Sequence, residues 1–378
     1  MNKISSIEPF LLVDKLRVPF HFSQFEYSER KICIVKITLE DGIIGWGEGY
    51  GPGLLVKAGI EQLAPLLIGR DALQHENLWQ DMYRMAYDYA RKGIFLSALS
   101  AIDIALWDIK GKLLNQPVSI LLGGRKREKI KMYATGMYFT NGGDMPQKLA
   151  SEALSYKKRG FSAVKMKVGQ GLDIDVANVA AVRKAIGDDT QLMIDANHAY
   201  DLKEARQLIR RLTDYHIFWF EEPLKNEDYE GYAELRRNSD ILIVGGECEY
   251  LKYGAHEMMS KRCVDIFQPD TGACGGISEV KNMMAIAKVH HTNLTPHTWG
   301  TGIAIAANLH LMSNLDTVPH RMNMPEPLME LDCSPNGLRE ELLVKNFELN
   351  NGYIDVPTSA GLGIELNEEK IEQHLLKP

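Results

Sequence analysis

Short apolar runs alternate with helical periodicity through most of the chain. Runs at Lys131–Gly136, Ala163–Val168, Gln191–Ala196, Ile217–Glu222, Ile241–Gly246, Ile266–Asp270, Thr292–His297 and near Pro327–Leu331 read as strands. Between them apolar residues recur at helical spacing, as in Val176–Ala185, Lys203–Leu212 and Glu279–His290. A strand about every 25 residues with a helix in each gap predicts parallel strands joined by right-handed crossovers. Eight such units close into a TIM-type barrel, so the fold class is α/β.

The first third has a different pattern. Ile4–Val13 and Lys31–Leu39 predict strands, and Asp41-Gly42 marks a hairpin turn. In the second strand Cys33, Val35, Ile37 and Leu39 form an apolar face. Ile32, Ile34, Lys36 and Thr38 form a face that turns polar, the mark of a half-buried strand. Helices are predicted at Val56–Ile68, His75–Tyr87 and Gly93–Leu113. Strands followed by helices make an α+β unit. Pro117, the Leu121–Gly124 segment and the charged run Arg125–Lys129, read as a solvated linker, place a boundary after residue 125. Two stretches are lid candidates. Pro19–Tyr27 is aromatic and longer than a turn requires, and Gly45–Gly51 reads as a flexible glycine-rich loop or flap. The latter contains no G-x-G-x-x-G frame and opens no βαβ unit, which excludes a dinucleotide loop.

Composition narrows the partners. The 378 residues carry a net charge of −7 and no long basic run, which argues against nucleic acid. No apolar stretch is long enough to span a bilayer, and the N-terminus does not read as a signal peptide. The five cysteines are odd in number and lack a C-x-x-C pair. A reduced, cytoplasmic protein is expected, with each cysteine a small buried hydrophobe.

The polar residues fall in phase with the strands. Lys165 and Lys167 alternate on one strand, so both project from one face. Asp195, Glu221, Glu247, Asp270 and His297 follow at the ends of successive strands, at intervals of 23 to 28 residues. The C-terminal strand ends are where a TIM barrel builds its active site. Asp195, Glu221 and Glu247 offer hard oxygen donors without Cys or His, which suits Mg²⁺ or Mn²⁺ rather than zinc. Lys167 and His297 stand on opposite sides of the mouth, and Asp270 can accept the second N–H of His297. Lys165 crowds Lys167 and is expected to lower its pKa, making a neutral amine base accessible. A metal with two opposed bases suits removal of the proton α to a carboxylate.

Taken together, Lys165-Met166-Lys167, Asp195-Ala196-Asn197, Glu221-Glu222-Pro223, Gly246-Glu247, Asp270 with Gly275-Gly276-Ile277, Pro296-His297 and the helix Ser97–Lys112 resemble the enolase superfamily, in its mandelate racemase-like subgroup. The resemblance implies a modified (β/α)7β barrel over residues 126–344. It also implies an α+β capping domain built from residues 1–125 and completed by the tail at about 345–378. It implies that the two lids cover the site and set specificity through residues such as His21, Phe22 and Tyr50. Asn197 and Lys165 would bind or polarise the substrate carboxylate, and a late carboxylic residue would be Glu330, with Glu326 as the alternative. His198 and Glu249 would support neighbouring ligands. A homo-oligomer is also implied.

The function expected by analogy with this subgroup is Mg²⁺-dependent dehydration of a sugar acid through an enediolate, giving a 2-keto-3-deoxy acid. Racemisation or epimerisation α to the carboxylate is the alternative, since it needs the same residues. Cycloisomerisation is a lesser one. Two readings of other classes are Schiff-base chemistry on Lys165 or Lys167, against which the three carboxylates argue, and a non-catalytic binding barrel.

Overall fold

The computed structural model describes residues 2–319 and 321–376; residues 1, 320, 377 and 378, among them the ends of the expected capping segments, lie outside the described residues. Three antiparallel strands come first, β1 (Ile4–His21), β2 (Glu26–Leu39) and β3 (Ile44–Gly49), in the order β1-β2-β3. Cys33, Val35, Ile37 and Leu39 pack on helices Gly53–Leu63, His75–Ala86 and Ile94–Leu113. The opposite face is covered too, because Ile32 and Ile34 join the main core of the barrel. The half-buried reading of this strand is therefore corrected at Ile32 and Ile34, on which the barrel core lands, and holds at Lys36 and Thr38, which stay partly exposed.

The glycine-rich stretch is not a flexible loop. Its first part is strand β3, laid flush against helix Ile94–Leu113. A Cβ on Gly47 would fall 1.9 Å from the Ala101 carbonyl oxygen, and one on Gly45 2.3 Å from that of Ala105. Glycine here serves close approach, and Ala101 and Ala105 are the helix side of the same contact. The aromatic stretch also differs from expectation. It is the tip of a long hairpin, since β1 and β2 run on to His21 and Glu26.

Eight parallel strands follow: β4 (Lys129–Thr135), β5 (Ala163–Lys167), β6 (Gln191–Asp195), β7 (Ile217–Glu221), β8 (Leu242–Gly245), β9 (Ile266–Phe267), β10 (Asn293–Leu294) and β11 (Leu328–Asp332). Their order is β10-β9-β8-β7-β6-β5-β4-β11, with a helix in each of the seven crossovers, which is the (β/α)7β barrel. Strands β9 and β10 are shorter than their apolar runs. Pro269 and Pro296 follow them and have no N–H to continue the ladder. An isolated bridge between Asp270 and His297 resumes the pairing just beyond.

The inward face of the barrel changes character along its length. Tyr133, Ala163, Met193, Trp219, Val244 and Leu328 form an apolar plug. Two residues further along their strands stand Thr135, Lys165, Asp195, Glu221 and Glu330. Period-two geometry keeps both sets on one face. The plug closes the lower end, so the charged layer opens only towards the hairpin.

A last strand, β12 (Tyr353–Asp355), pairs antiparallel with β4, and helix Glu368–His374 packs on β1. The run Arg125–Lys129 is less solvated than its charge suggests. Lys126 and Arg127 donate backbone N–H groups to the Ser313 carbonyl, and the Arg127 guanidinium reaches Leu315 O at 2.5 Å. These are the free carbonyls at the end of helix Gly302–Asn314, where basic groups are favoured.

Candidate active site

The ladder registers bring the charged layer together. Lys165 lies opposite Met193, Lys167 opposite Asp195, and Asp195 opposite Glu221. Gly246, at φ 129°, turns the chain after β8 so that Glu247 joins them; a Cβ there would strike the Phe267 ring at 2.6 Å. Asn197, His198 and Glu222 hold left-handed φ values of 44°, 66° and 42°, an arrangement that costs energy and concentrates at functional sites.

Lys165 is 1% exposed. Its ammonium pairs with Glu221, with Glu330 at 2.9 Å and with Asp195 at 3.8 Å, and lies over the Tyr133 ring. Lys167 donates to Asp195 at 2.5 Å and to Asn197 Oδ1 at 2.9 Å. The expected lowering of the lysine pKa is corrected. Burial and Lys165 both work against the charge on Lys167, but Asp195 and Tyr138 hold its pKa above the ordinary lysine value. Lys165 is raised as well, because Glu221 and Glu330 outweigh its burial. Like charges do repel here, but each ammonium has a closer carboxylate.

On the other side of the mouth His297 Nδ1 and Asp270 Oδ2 are 2.6 Å apart. This leaves Nε2 facing Glu247 at 3.6 Å and Glu330 at 4.0 Å. Burial opposes the imidazolium, yet Glu247 and the Asp270 hydrogen bond lift His297 to about 10. Glu330 accepts from Thr135 Oγ1 at 2.5 Å and from the Thr298 N–H at 2.8 Å. Burial raises its pKa less than Lys165 and His297 lower it, so it stays ionised. Glu326 is exposed and bonds the Tyr353 hydroxyl, so Glu330 is the late carboxylate placed at the site.

Asp195 and Glu221 are buried, and Glu247 is 10% exposed. They face the same end of the barrel, but their oxygens are parted by the two ammonium groups rather than gathered into one cluster. Burial, with repulsion from Glu222, Asp195 and Glu221, lifts Glu247 to about 8. Burial, with Asp195 and Glu330, lifts Glu221 to about 7 against the pull of Lys165. An all-oxygen donor set whose negative charge is this poorly balanced fits a hard divalent cation.

Lys167, Asn197, His198, Glu247, His297 and Glu330 line one cavity of 210 Å³. Its roof is the hairpin tip and Tyr50. Phe22, Phe25 and Tyr27 reach into it, and the Tyr50 ring meets His297 edge-on at 5.2 Å. The tip is fastened down by Ser23 Oγ to Ala196 O at 2.8 Å and Gln24 Nε2 to Asn197 O at 2.5 Å. His21 does not line the cavity. It pairs with Phe139 through two backbone hydrogen bonds and packs on that ring at 5.5 Å. His198 pairs with Glu222, and Glu249 accepts from the Tyr229 hydroxyl at 2.6 Å.

Several site groups were not expected. Gln268 donates to Glu221 at 3.0 Å, and it stands two residues before Asp270, in phase just past β9. Tyr138, Trp299 and Glu48 carry no such signal. Tyr138 underlies Lys167 at 5.2 Å, and Trp299 sits beneath the Arg30 guanidinium at 3.5 Å. Glu48 accepts from the Thr301 N–H at 3.0 Å and joins β3 to the helix after His297.

Fold and site together define a (β/α)7β barrel enzyme with an ionisable ring at its strand ends. Residues 6–123 match the model of the mandelate racemase/muconate lactonizing enzyme N-terminal domain, and residues 148–370 match that of the enolase C-terminal domain-like family. The chain belongs to the mandelate racemase-like subgroup of the enolase superfamily. It is 40% identical to a D-galactarolactone cycloisomerase of Agrobacterium fabrum, over 98% of each chain. It also resembles the crystal structure of a 3,6-anhydro-D-galactonate cycloisomerase of Zobellia galactanivorans, at TM-score 0.91 and 51% identity, covering 99% of this chain and 100% of that one. An L-talarate/galactarate dehydratase liganded with Mg and L-glucarate matches at TM-score 0.88 and 27% identity, covering 99% and 92%. No helix among the described residues is long and apolar enough to cross a membrane.

Proposed function

We propose that this enzyme removes the proton α to the carboxylate of a sugar acid and then expels the oxygen on the β-carbon, giving a 2-keto-3-deoxy acid. The observation that carries the reading is one cavity lined by two ionisable groups, Lys167 and His297, the latter backed by Asp270, beside buried carboxylates. Mg²⁺ held by Asp195, Glu221 and Glu247 would act as a Lewis acid towards the substrate carboxylate. Lys167 and His297 carry the proton work, one at the α-carbon and one at the departing oxygen. Asp270 fixes the proton on His297 Nδ1 and aims Nε2 at the cavity. Asn197 and Lys165 stabilise negative charge on the substrate carboxylate, and Glu330 holds Lys165 in place. Phe22, Phe25, Tyr27 and Tyr50 keep water out.

The favoured version is cycloisomerisation. In a 3,6-anhydro aldonate the C3 oxygen, β to the carboxylate, is one end of an ether. Its departure opens the ring and loses no atoms. The 51% identity to the 3,6-anhydro-D-galactonate cycloisomerase supports this version. Dehydration is the second reading: the same elimination from an open-chain acid releases water, and the resemblance to a galactarate dehydratase supports it. Incubation with Mg²⁺ and 3,6-anhydro-galactonate, then with open-chain aldonates and aldarates, distinguishes them. Keto product of unchanged mass from the anhydro acid is expected. Keto product lighter by one water, from open-chain acids alone, would replace cycloisomerisation with dehydration. Optical change without keto product would overturn elimination altogether.

A further inference from the structure

Beside the carboxylate set lies a second group of donors. His198, Glu222 and Cys248 follow Asp195, Glu221 and Glu247 by three, one and one residues, so each comes from the end of the same three strands. His198 Nε2 is 3.0 Å from Glu222 Oε2 and 3.9 Å from Cys248 Sγ. Among the described residues this is the one trio of His, Cys, Asp or Glu whose ligand atoms all lie within 4.8 Å of one another. Around a tetrahedral zinc ion, bonds of about 2.0–2.3 Å put neighbouring ligand atoms roughly 3.4–3.6 Å apart. The trio therefore needs only small adjustments to close on an ion.

Two further observations point to a ligand. Glu222 is fully buried, yet its Oε1 has no hydrogen-bond partner, an uncommon state for a carboxylate oxygen. His198 Nδ1 lies 3.2 Å from the Leu224 carbonyl oxygen. A ring N–H given to a backbone carbonyl leaves Nε2 as the ligating atom, the outer contact typical of zinc-bound histidines. The site is also reachable. His198 lines the 210 Å³ cavity, and Cys248 lines the adjoining cavity of 510 Å³.

We propose that His198 Nε2, the Glu222 carboxylate and Cys248 Sγ form a second cation site, selective for a thiophilic divalent ion such as Zn²⁺ and separate from the all-oxygen set. A thiolate and an imidazole favour such ions, whereas Mg²⁺ favours oxygen donors. The inference does not depend on the proposed reaction.

Co²⁺ is the probe, titrated into the full-length protein with Mg²⁺ in excess. Binding is expected to produce a near-ultraviolet thiolate-to-cobalt band that saturates at one equivalent and is abolished by Zn²⁺. Cobalt at the all-oxygen site gives no such band. Cys248→Ser should remove the band. His198→Gln should weaken Co²⁺ binding at least about tenfold. Thermal melts without cobalt verify that both variants fold; should one fail, the other carries the test. Absence of the band in the wild type, or its survival in Cys248→Ser, would overturn the proposal.

Discussion

His310 allows a prediction of stability that can be worked through from its contacts. It is fully buried in helix Gly302–Asn314, between helix Val118–Leu121 and the C-terminal tail. The Ser119 N–H donates to Nδ1 at 3.2 Å, and Nε2–H donates to Leu362 O at 3.1 Å. One nitrogen accepts and one donates, so the ring is neutral. A second proton would set N–H against N–H. Burial lowers its pKa to about 4, against the Leu362 hydrogen bond and with a small push from Arg125. The unfolded chain takes up that proton near 6.5. The stability tied to this residue is therefore complete above pH 6.5, falls as the pH drops, and levels off near pH 4. At 1.36 kcal/mol per pH unit the whole effect is ~3 kcal/mol, of which ~2 kcal/mol is lost by pH 5. Urea unfolding of the wild type and His310→Gln at pH 8 and pH 5 isolates it. Glutamine keeps a donor for Leu362 but cannot titrate, and all other ionisations are shared. The wild type should lose about 2 kcal/mol more than the variant between the two pH values. Equal losses would refute the assigned protonation state.

Other predictions concern the site and its supports. Asp270→Asn should lower kcat on the order of 10²–10³-fold with little change in KM, since it removes the negative charge that holds the proton on His297 Nδ1; an unchanged kcat would exclude the pair from proton transfer. Gly47→Ala should lower the melting temperature by the equivalent of about 1–3 kcal/mol, because its Cβ would sit 1.9 Å from the Ala101 oxygen; an unchanged melt would show that strand and helix can part freely. Arg30 donates to Ser334 and Asp332, each at 3.0 Å, and covers Trp299. Arg30→Lys should cost about 1–2 kcal/mol and shift tryptophan fluorescence, and loss of neither would mean that the planar fork is not needed.

Much of the site was legible because a strand imposes a strict period. Lys167, Asp195, Glu221, Glu247, Asp270 and His297 recur one strand–helix unit apart, so spacing alone placed them at one end of a barrel. Gln268 obeyed the same phase and could have been found. Glu330 needed the resemblance to a family as well, and the structure placed it rather than Glu326 against Lys165.

Other features were decided only by tertiary contact. The glycines of β3 looked mobile because nothing local reveals a helix pressed against them. The opposite face of β2 looked half-polar because its cover comes from elsewhere in the chain. Tyr138 and Trp299 reach the site from loops, and Glu48 braces it through Thr301 from a neighbouring sheet, approaches that have no period. The lysines show the division most clearly. Sequence order set their alternation and so their shared direction. Their charge state depends on Coulomb interactions over a few ångströms, and those distances exist only once Asp195, Glu221 and Glu330 have been brought in from three other strands.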